Sequence, residues 1–245
     1  MDGTHLDRRV IGILGGMGPL ATVELERRIV LYNKRAKRDQ DHVPMIVVND
    51  PRVPDRTSYI KGTGPDPRPK IIEGLKKLET AGAEIVFIPC NTAHAFYEDL
   101  VKNTRLPVYH MPYRALEEAI KIGKRIGLLA TLGTYMADVY RKISKKISEN
   151  LEVVYPDRDT MNSVMEVIYK GVKGAKGVHN DDIKKIVKRL NNVDVIILGC
   201  TELSLLKDMF RLYTEVVDPL DVAAHDAIRF SYREVSEKDI IPSSL

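Results

Sequence analysis

Tryptophan is missing from the chain, and no stretch interleaves aromatic with basic residues, so the stacking and phosphate-gripping surface of a nucleic-acid binder has nothing to be built from. Lys and Arg (38 residues) nearly balance Asp and Glu (34), and the net charge of +4 is dispersed among both signs. Long apolar runs are also lacking. The first, Val10 to Leu14, follows a polar and charged Met1 to Arg9, is broken by Gly12 and stops at Gly15-Gly16. It is too short for a signal-peptide core or a membrane span, so a cytoplasmic protein with neither membrane nor nucleic acid as partner is expected. Cysteine is scarcest of all, with only Cys90 and Cys200, 110 positions apart. No CxxC or HxxxH spacing accompanies either, which argues against a metal site, and a reducing cytoplasm argues against a disulfide.

What is present belongs to an ordinary globular protein: 44% hydrophobic and 29% charged residues in a chain of 245, enough for one large or two small domains. Each cysteine follows a short apolar run that reads as a buried strand, Glu84-Ile85-Val86-Phe87-Ile88 and Asp194-Val195-Ile196-Ile197-Leu198. Each is followed by small polar residues (Asn91-Thr92; Thr201-Glu202) and then a helix-like segment. Both sulfurs are therefore placed at the carboxyl ends of strands, where open α/β sheets hold their active sites.

The pattern recurs. Arg9 to Gly15 resembles Lys124 to Ala130, with Gly12 matching Gly127 and Gly18 matching Gly133 at an offset of 115, while the cysteines match at 110. Two strand-turn-helix patterns repeating in order at nearly one period indicate an internal duplication. The expected fold is α/β: two similar open domains with mostly parallel central sheets, related by a pseudo-twofold axis, with the active site in the cleft between them. A last strand, Glu215 to Pro219, resembles Pro107 to Tyr109, and a tail helix from Leu220 to Arg229 is expected to return to the first half. The domains are thus expected to comprise residues 1–110 plus 216–245, and residues 111–215. Leu106 to Met111 reads as a further strand. The five prolines at 51, 54, 65, 67 and 69 mark a long irregular loop, of the kind that closes over active sites.

A single buried cysteine is more often packing than chemistry, but two at equivalent places of a repeat, each followed by polar residues, favour function. Two thiols in one pocket suit proton transfer at a stereocentre, which needs an acid/base group on each face of a carbon. Asn91, Thr92 and Thr201 are placed to stabilise a developing carbanion, joined from the other half by the Thr131-Leu132-Gly133-Thr134 turn, with Thr134 as an N-cap candidate. Glu202 is suited to orient a substrate ammonium. Arg56, in the proline-rich loop, is suited to grip a carboxylate through two parallel N–H bonds as the loop closes. Gly171, Gly174 and Gly177 mark a flexible turn around Lys173. His94 and His110 read as hydrogen-bonded structural histidines. Gly15-Gly16-Met17-Gly18-Pro19 opens a helix at a glycine-rich turn but lacks the third glycine of a dinucleotide fingerprint and the Lys-Ser/Thr of a P-loop.

Ile11 to Pro19, Pro89-Cys90-Asn91-Thr92-Ala93 and Gly199-Cys200-Thr201-Glu202 together resemble the cofactor-independent aspartate/glutamate racemase family, in its aspartate racemase branch, from Ile11 to about Ala227. The resemblance implies a two-base amino-acid racemase that needs no pyridoxal phosphate or other cofactor, usually a homodimer. It assigns Cys90 and Cys200 as the acid/base pair. It makes Met17, Asn91, Thr92, Thr131, Thr134, Thr201 and Glu202 pocket residues, and Arg56 and Lys173 the cations for the carboxylates of aspartate or glutamate. The rivals are a maleate or hydantoin-type isomerase of the same superfamily, a non-catalytic amino-acid-binding protein, and a nucleotide-binding regulator built on the glycine-rich turn.

Overall fold

A strand that is apolar on both faces must be covered on both, and Ile11–Gly15 (β1) is buried at all five positions. In the computed structural model, which describes residues 8–190 and 192–242, β1 is the centre of a parallel sheet. Met45–Asn49 (β2) pairs on one side and Ile85–Phe87 (β3) on the other, with Ile11 opposite both Met45 and Ile85. A second sheet repeats the order: Arg125–Ala130 (β4) lies between Glu152–Val154 (β5) and Val195–Gly199 (β6), and β6 also pairs with Val216–Val217 (β7). The repeat extends to the edge, since Val86 pairs with Val108 as Ile196 pairs with Val216. The ends of the chain, residues 1–7 and 243–245 of the expected first domain, lie outside the described residues.

The segment at 106–111 is not the strand its composition suggested. It makes one bridge, closed by Val86 N–H to Pro107 O and Tyr109 N–H to Val86 O. His110 then accepts from Tyr113 N–H as the cap of helix Met111–Ala119, so helix geometry takes over before a second bridge can form.

Helices fill both sheet faces. Gly16, at φ +92°, turns the chain out of β1 where a Cβ would lie 2.1 Å from Asp50 O, and Pro19 then opens α1 (Pro19–Tyr32). The proline-rich stretch is not wholly irregular, because Asp55 caps a short helix, α2 (Arg56–Ile60), by accepting from Ser58 N–H. Helix α3 (Arg68–Ala81) ends at Gly82 in the left-handed conformation. Tyr97–Val101 (α4) completes the first half, and Met111–Ala119 (α5) opens the second, where Ala115, Leu116 and Ala119 share a core with Ile126 and Leu128. The second holds Leu132–Met136 (α6), Val139–Ile147 (α7), Arg158–Glu166 (α8), Asn180–Arg189 (α9) and Lys207–Arg211 (α10). Pro219–Ser231 (α11) brings the chain back: Leu220, Ala223, Ala224 and Ala227 share a core with Ile11, Ile13 and Phe87 of the first sheet. The short Glu237–Ile240 (α12) adds Ile240 to the same core.

Buried polar bonds join the halves. Arg28 of α1 donates to Asp218 at 2.5 Å and to Ser204 O at 2.8 Å, beside β7 and ahead of α10. His94 fastens the segment after β3 to the start of α5. Its Nε2 accepts from Met111 N–H (3.3 Å), so the proton resides on Nδ1 and is donated to Cys90 O at 2.9 Å. Burial pushes the His94 pKa down from 6.5 to about 4. The unfolded chain takes up this proton below about 6.5 and the folded one only near 4, so the contribution is complete above that interval and is lost as pH falls through it, by about 3 kcal/mol. Urea midpoints measured from pH 7 to 4.5 should therefore decline steeply in the wild type and less steeply in His94→Asn; parallel profiles would refute the assignment.

Candidate active site

Cys90 follows β3 and Cys200 follows β6, at the same place of the two equivalent strands, and both are buried free thiols. They line one cavity of about 10 Å3, room for about one water, so the site is closed. Met17, Arg56, Asn91 and Thr92 face it from the first half; Thr131, Lys173, Thr201 and Glu202 face it from the second. Ten of the eleven residues expected at the site thus meet in one space, although they span positions 17 to 202. The eleventh, Thr134, stands just behind.

The threonines hold the two halves together at the floor. Thr92 Oγ1 lies 2.9 Å from Thr131 Oγ1 and 3.0 Å from Thr134 Oγ1. The cap of α6 is Thr131 rather than Thr134: its hydroxyl accepts from Thr134 N–H at 3.3 Å, because the turn out of β4 begins one residue after the strand. Thr201 donates to Pro89 O, one residue before Cys90, at 3.1 Å. The Cys90 turn is therefore held by three hydroxyls of the opposite half, Thr131, Thr134 and Thr201.

The electrostatics at the two sulfurs differ. Cys200 donates from Sγ to Glu202 Oε2 at 2.9 Å, and Glu202 Oε1 lies 3.4 Å from Lys173 Nζ. Burial, reinforced by the Glu202 carboxylate and opposed by Lys173, pushes the Cys200 thiol pKa well up. On the Cys90 side stands Arg56, 6% exposed, donating to Met17 O at 2.6 Å and Pro54 O at 3.0 Å. Burial disfavours its charge, but Cys90, Asp55 and Glu202 more than offset that and hold its pKa above the ordinary value. Lys173 is held up in the same way, burial being outweighed chiefly by Glu202. Two donors are left over: Arg56 Nε and Asn91 Nδ2 are buried without a hydrogen-bond partner.

Two expectations about the cations are corrected. Arg56 is the first residue of α2 and already stands inside, so no loop closure is needed to bring it in. The expected turn begins only at Lys173, which caps a π-helical turn, Val167–Val172, that continues α8 through Gly171. Gly171 serves close packing, since a Cβ there would lie 2.5 Å from Val178 Cγ2 as the chain doubles back, while Gly177 takes φ +79°.

Sequence reasoning missed three lining residues, Asp55, Thr57 and Tyr169. Tyr169 Oη donates to Asp55 Oδ2 at 2.9 Å, bridging the halves across the mouth, and Lys173 Nζ lies 4.6 Å from its ring centroid. The signal was available: Tyr169 precedes Lys173 by one helical turn, and Asp55 and Thr57 flank Arg56.

Comparison with known proteins places this geometry. A family model described as Asp/Glu/Hydantoin racemase matches residues 14–227. The broad specificity amino-acid racemase RacX of Bacillus subtilis is 26% identical over 222 residues, covering 85% of this chain and 92% of the relative. A glutamate racemase of Streptococcus thermophilus is 26% identical over 214 residues, covering 84% and 72%. The structure of Picrophilus torridus aspartate racemase superposes with a TM-score of 0.80 at 29% identity, covering 92% of this chain and 98% of that one. Francisella tularensis glutamate racemase in complex with D-glutamate shares the fold, with a TM-score of 0.66 at 20% identity over 94% and 84% of the two chains. With the fold, the paired cysteines and a family match over most of its length in agreement, the chain belongs to the Asp/Glu/hydantoin racemase family.

Proposed function

We propose that the protein is an aspartate racemase, acting also on glutamate, that uses Cys90 and Cys200 as its two acid/base groups and needs no pyridoxal phosphate. The observation that carries this reading is the single closed cavity lined by both thiols and by two cations, the buried Arg56 and Lys173 paired with Glu202. A dicarboxylate brings two anions to two cations, and its ammonium has Glu202 and Asp55 as acceptors. A thiolate on one side takes the α-hydrogen as a proton, and the electron pair passes into the adjoining carboxylate as an enolate. The opposite thiol then delivers its own proton to the other face. Cys200, donating its hydrogen bond to Glu202, is suited to give a proton, and Cys90, beside Arg56, to take one.

Because the cavity holds about one water, aspartate enters only when the halves part at the mouth, where Tyr169 meets Asp55. The packing of α11 against the first sheet supports domains of 1–110 plus 216–245 and 111–215. Reduced thiols suit a cytoplasmic location. An exposed apolar stripe on α1, with Leu20, Val23, Val30 and Leu31, supports pairing of two copies into a homodimer.

Cys90→Ala and Cys200→Ala should each lower racemisation of aspartate at least about 100-fold, followed by chiral chromatography without added pyridoxal phosphate. Racemisation that survives in either variant sinks the two-base assignment, and turnover of maleate or a hydantoin in place of aspartate would reassign the substrate. Arg56→Lys keeps the charge but loses the planar fork, so the KM for aspartate should rise about tenfold or more while the variant stays folded. An unchanged KM would remove Arg56 from carboxylate recognition.

A further inference from the structure

Asn91, next to Cys90, is held by a residue that does not line the cavity. Tyr140 of α7 is fully buried, and its hydroxyl donates to Asn91 Oδ1 at 2.6 Å from the opposite half of the molecule. A primary amide has one accepting and one donating end, so a partner that takes the accepting end decides which way the other points. Here the carbonyl end is occupied and Nδ2 is left buried without a partner. Arg56, whose Nε is likewise buried without a partner, lines the same cavity. Two buried unmatched donors are unfavourable until an acceptor arrives, and an oxygen anion satisfies both.

The reversed amide would be worse in two respects. It would turn Oδ1 toward the site of an anionic ligand, and it would ask Tyr140 to accept while its own proton had no acceptor in a fully buried position. Burial also pushes the Tyr140 pKa well above 10, so the hydroxyl keeps the proton it donates. From this geometry we infer that Tyr140 is a positioning residue: it fixes the Asn91 amide so that Nδ2 donates to a carboxylate oxygen of the substrate. The inference rests on reading the cavity as a site for an acidic amino acid, and it adds a specificity element in which a phenol of one half selects the hydrogen-bonding sense of a side chain in the other.

The experiment measures binding and turnover separately on the full chain, with succinate as a non-reacting dicarboxylate in calorimetry and aspartate in the racemisation assay. In Tyr140→Phe, which keeps the ring and removes the donor, the succinate Kd and the aspartate KM should both rise about five- to twentyfold, with kcat within about threefold. Asn91→Asp still accepts from Tyr140 but presents an anion to the ligand, and should abolish succinate binding. Tyr140→Phe combined with Asn91→Ala should be no weaker in binding than Asn91→Ala alone, because both changes remove one interaction. If the wild type binds succinate and racemises aspartate while Tyr140→Phe retains the wild-type Kd, the positioning role is overturned and the racemase reading stands. Wild-type affinity in Asn91→Asp overturns it independently should Tyr140→Phe not fold. A wild type that neither binds succinate nor racemises aspartate overturns both.

Discussion

Two full positive charges, the buried Arg56 and the Glu202-paired Lys173, line a space with room for about one water, and the rest of the site is arranged around that constraint. A buried cation is tolerable only with anions or carbonyl oxygens at hand. Arg56 has the carbonyls of Met17 and Pro54 and the sulfur of Cys90; Lys173 has Glu202, which in turn holds the proton end of Cys200. Each thiol thus inherits a different electrostatic partner from a different cation. The duplication makes the two sulfurs equivalent in position, while their charged neighbours differ, Glu202 and Lys173 at Cys200 and Arg56 at Cys90.

The opposition of the sulfurs depends in turn on bonds that cross between the halves. Thr92 meets Thr131 and Thr134, Thr201 reaches Pro89 O, and Arg28 of α1 donates to Ser204 O. Most of these are buried, where a hydrogen bond left unmade is costly, so the closed arrangement is a well-defined state rather than one of many. The contact from Tyr169 to Asp55 is by contrast only part-buried.

Much of the fold was legible because its signals are local. Apolar runs such as Val195–Leu198 can only be buried parallel strands, Gly82 ends α3 because only glycine enters the left-handed region without cost, and Pro19 opens α1. Where two local signals competed, composition misled. Leu106 to Met111 has strand residues but ends in the cap of α5, and the glycines after Lys170 read as flexibility although Gly171 is there to let Val178 approach. Asp55, Thr57 and Tyr169 were missed because no motif contains them; they enter the site through the fold's return past Arg56 and through helical spacing from Lys173.

The sequence alone determined that there are two equivalent strand-ending thiols, that each is followed by polar residues, and that a second cation is available. These follow from spacing and residue type, which the linear chain carries in full. Only the tertiary structure decided that the thiols share one closed cavity, that Arg56 is inside it at rest, that Glu202 belongs to Cys200 and Lys173, and that Tyr140 orients Asn91. Those facts concern which half faces which, and a burial or a bond between residues dozens or a hundred positions apart, such as 91 and 140 or 90 and 200, has no trace in local pattern.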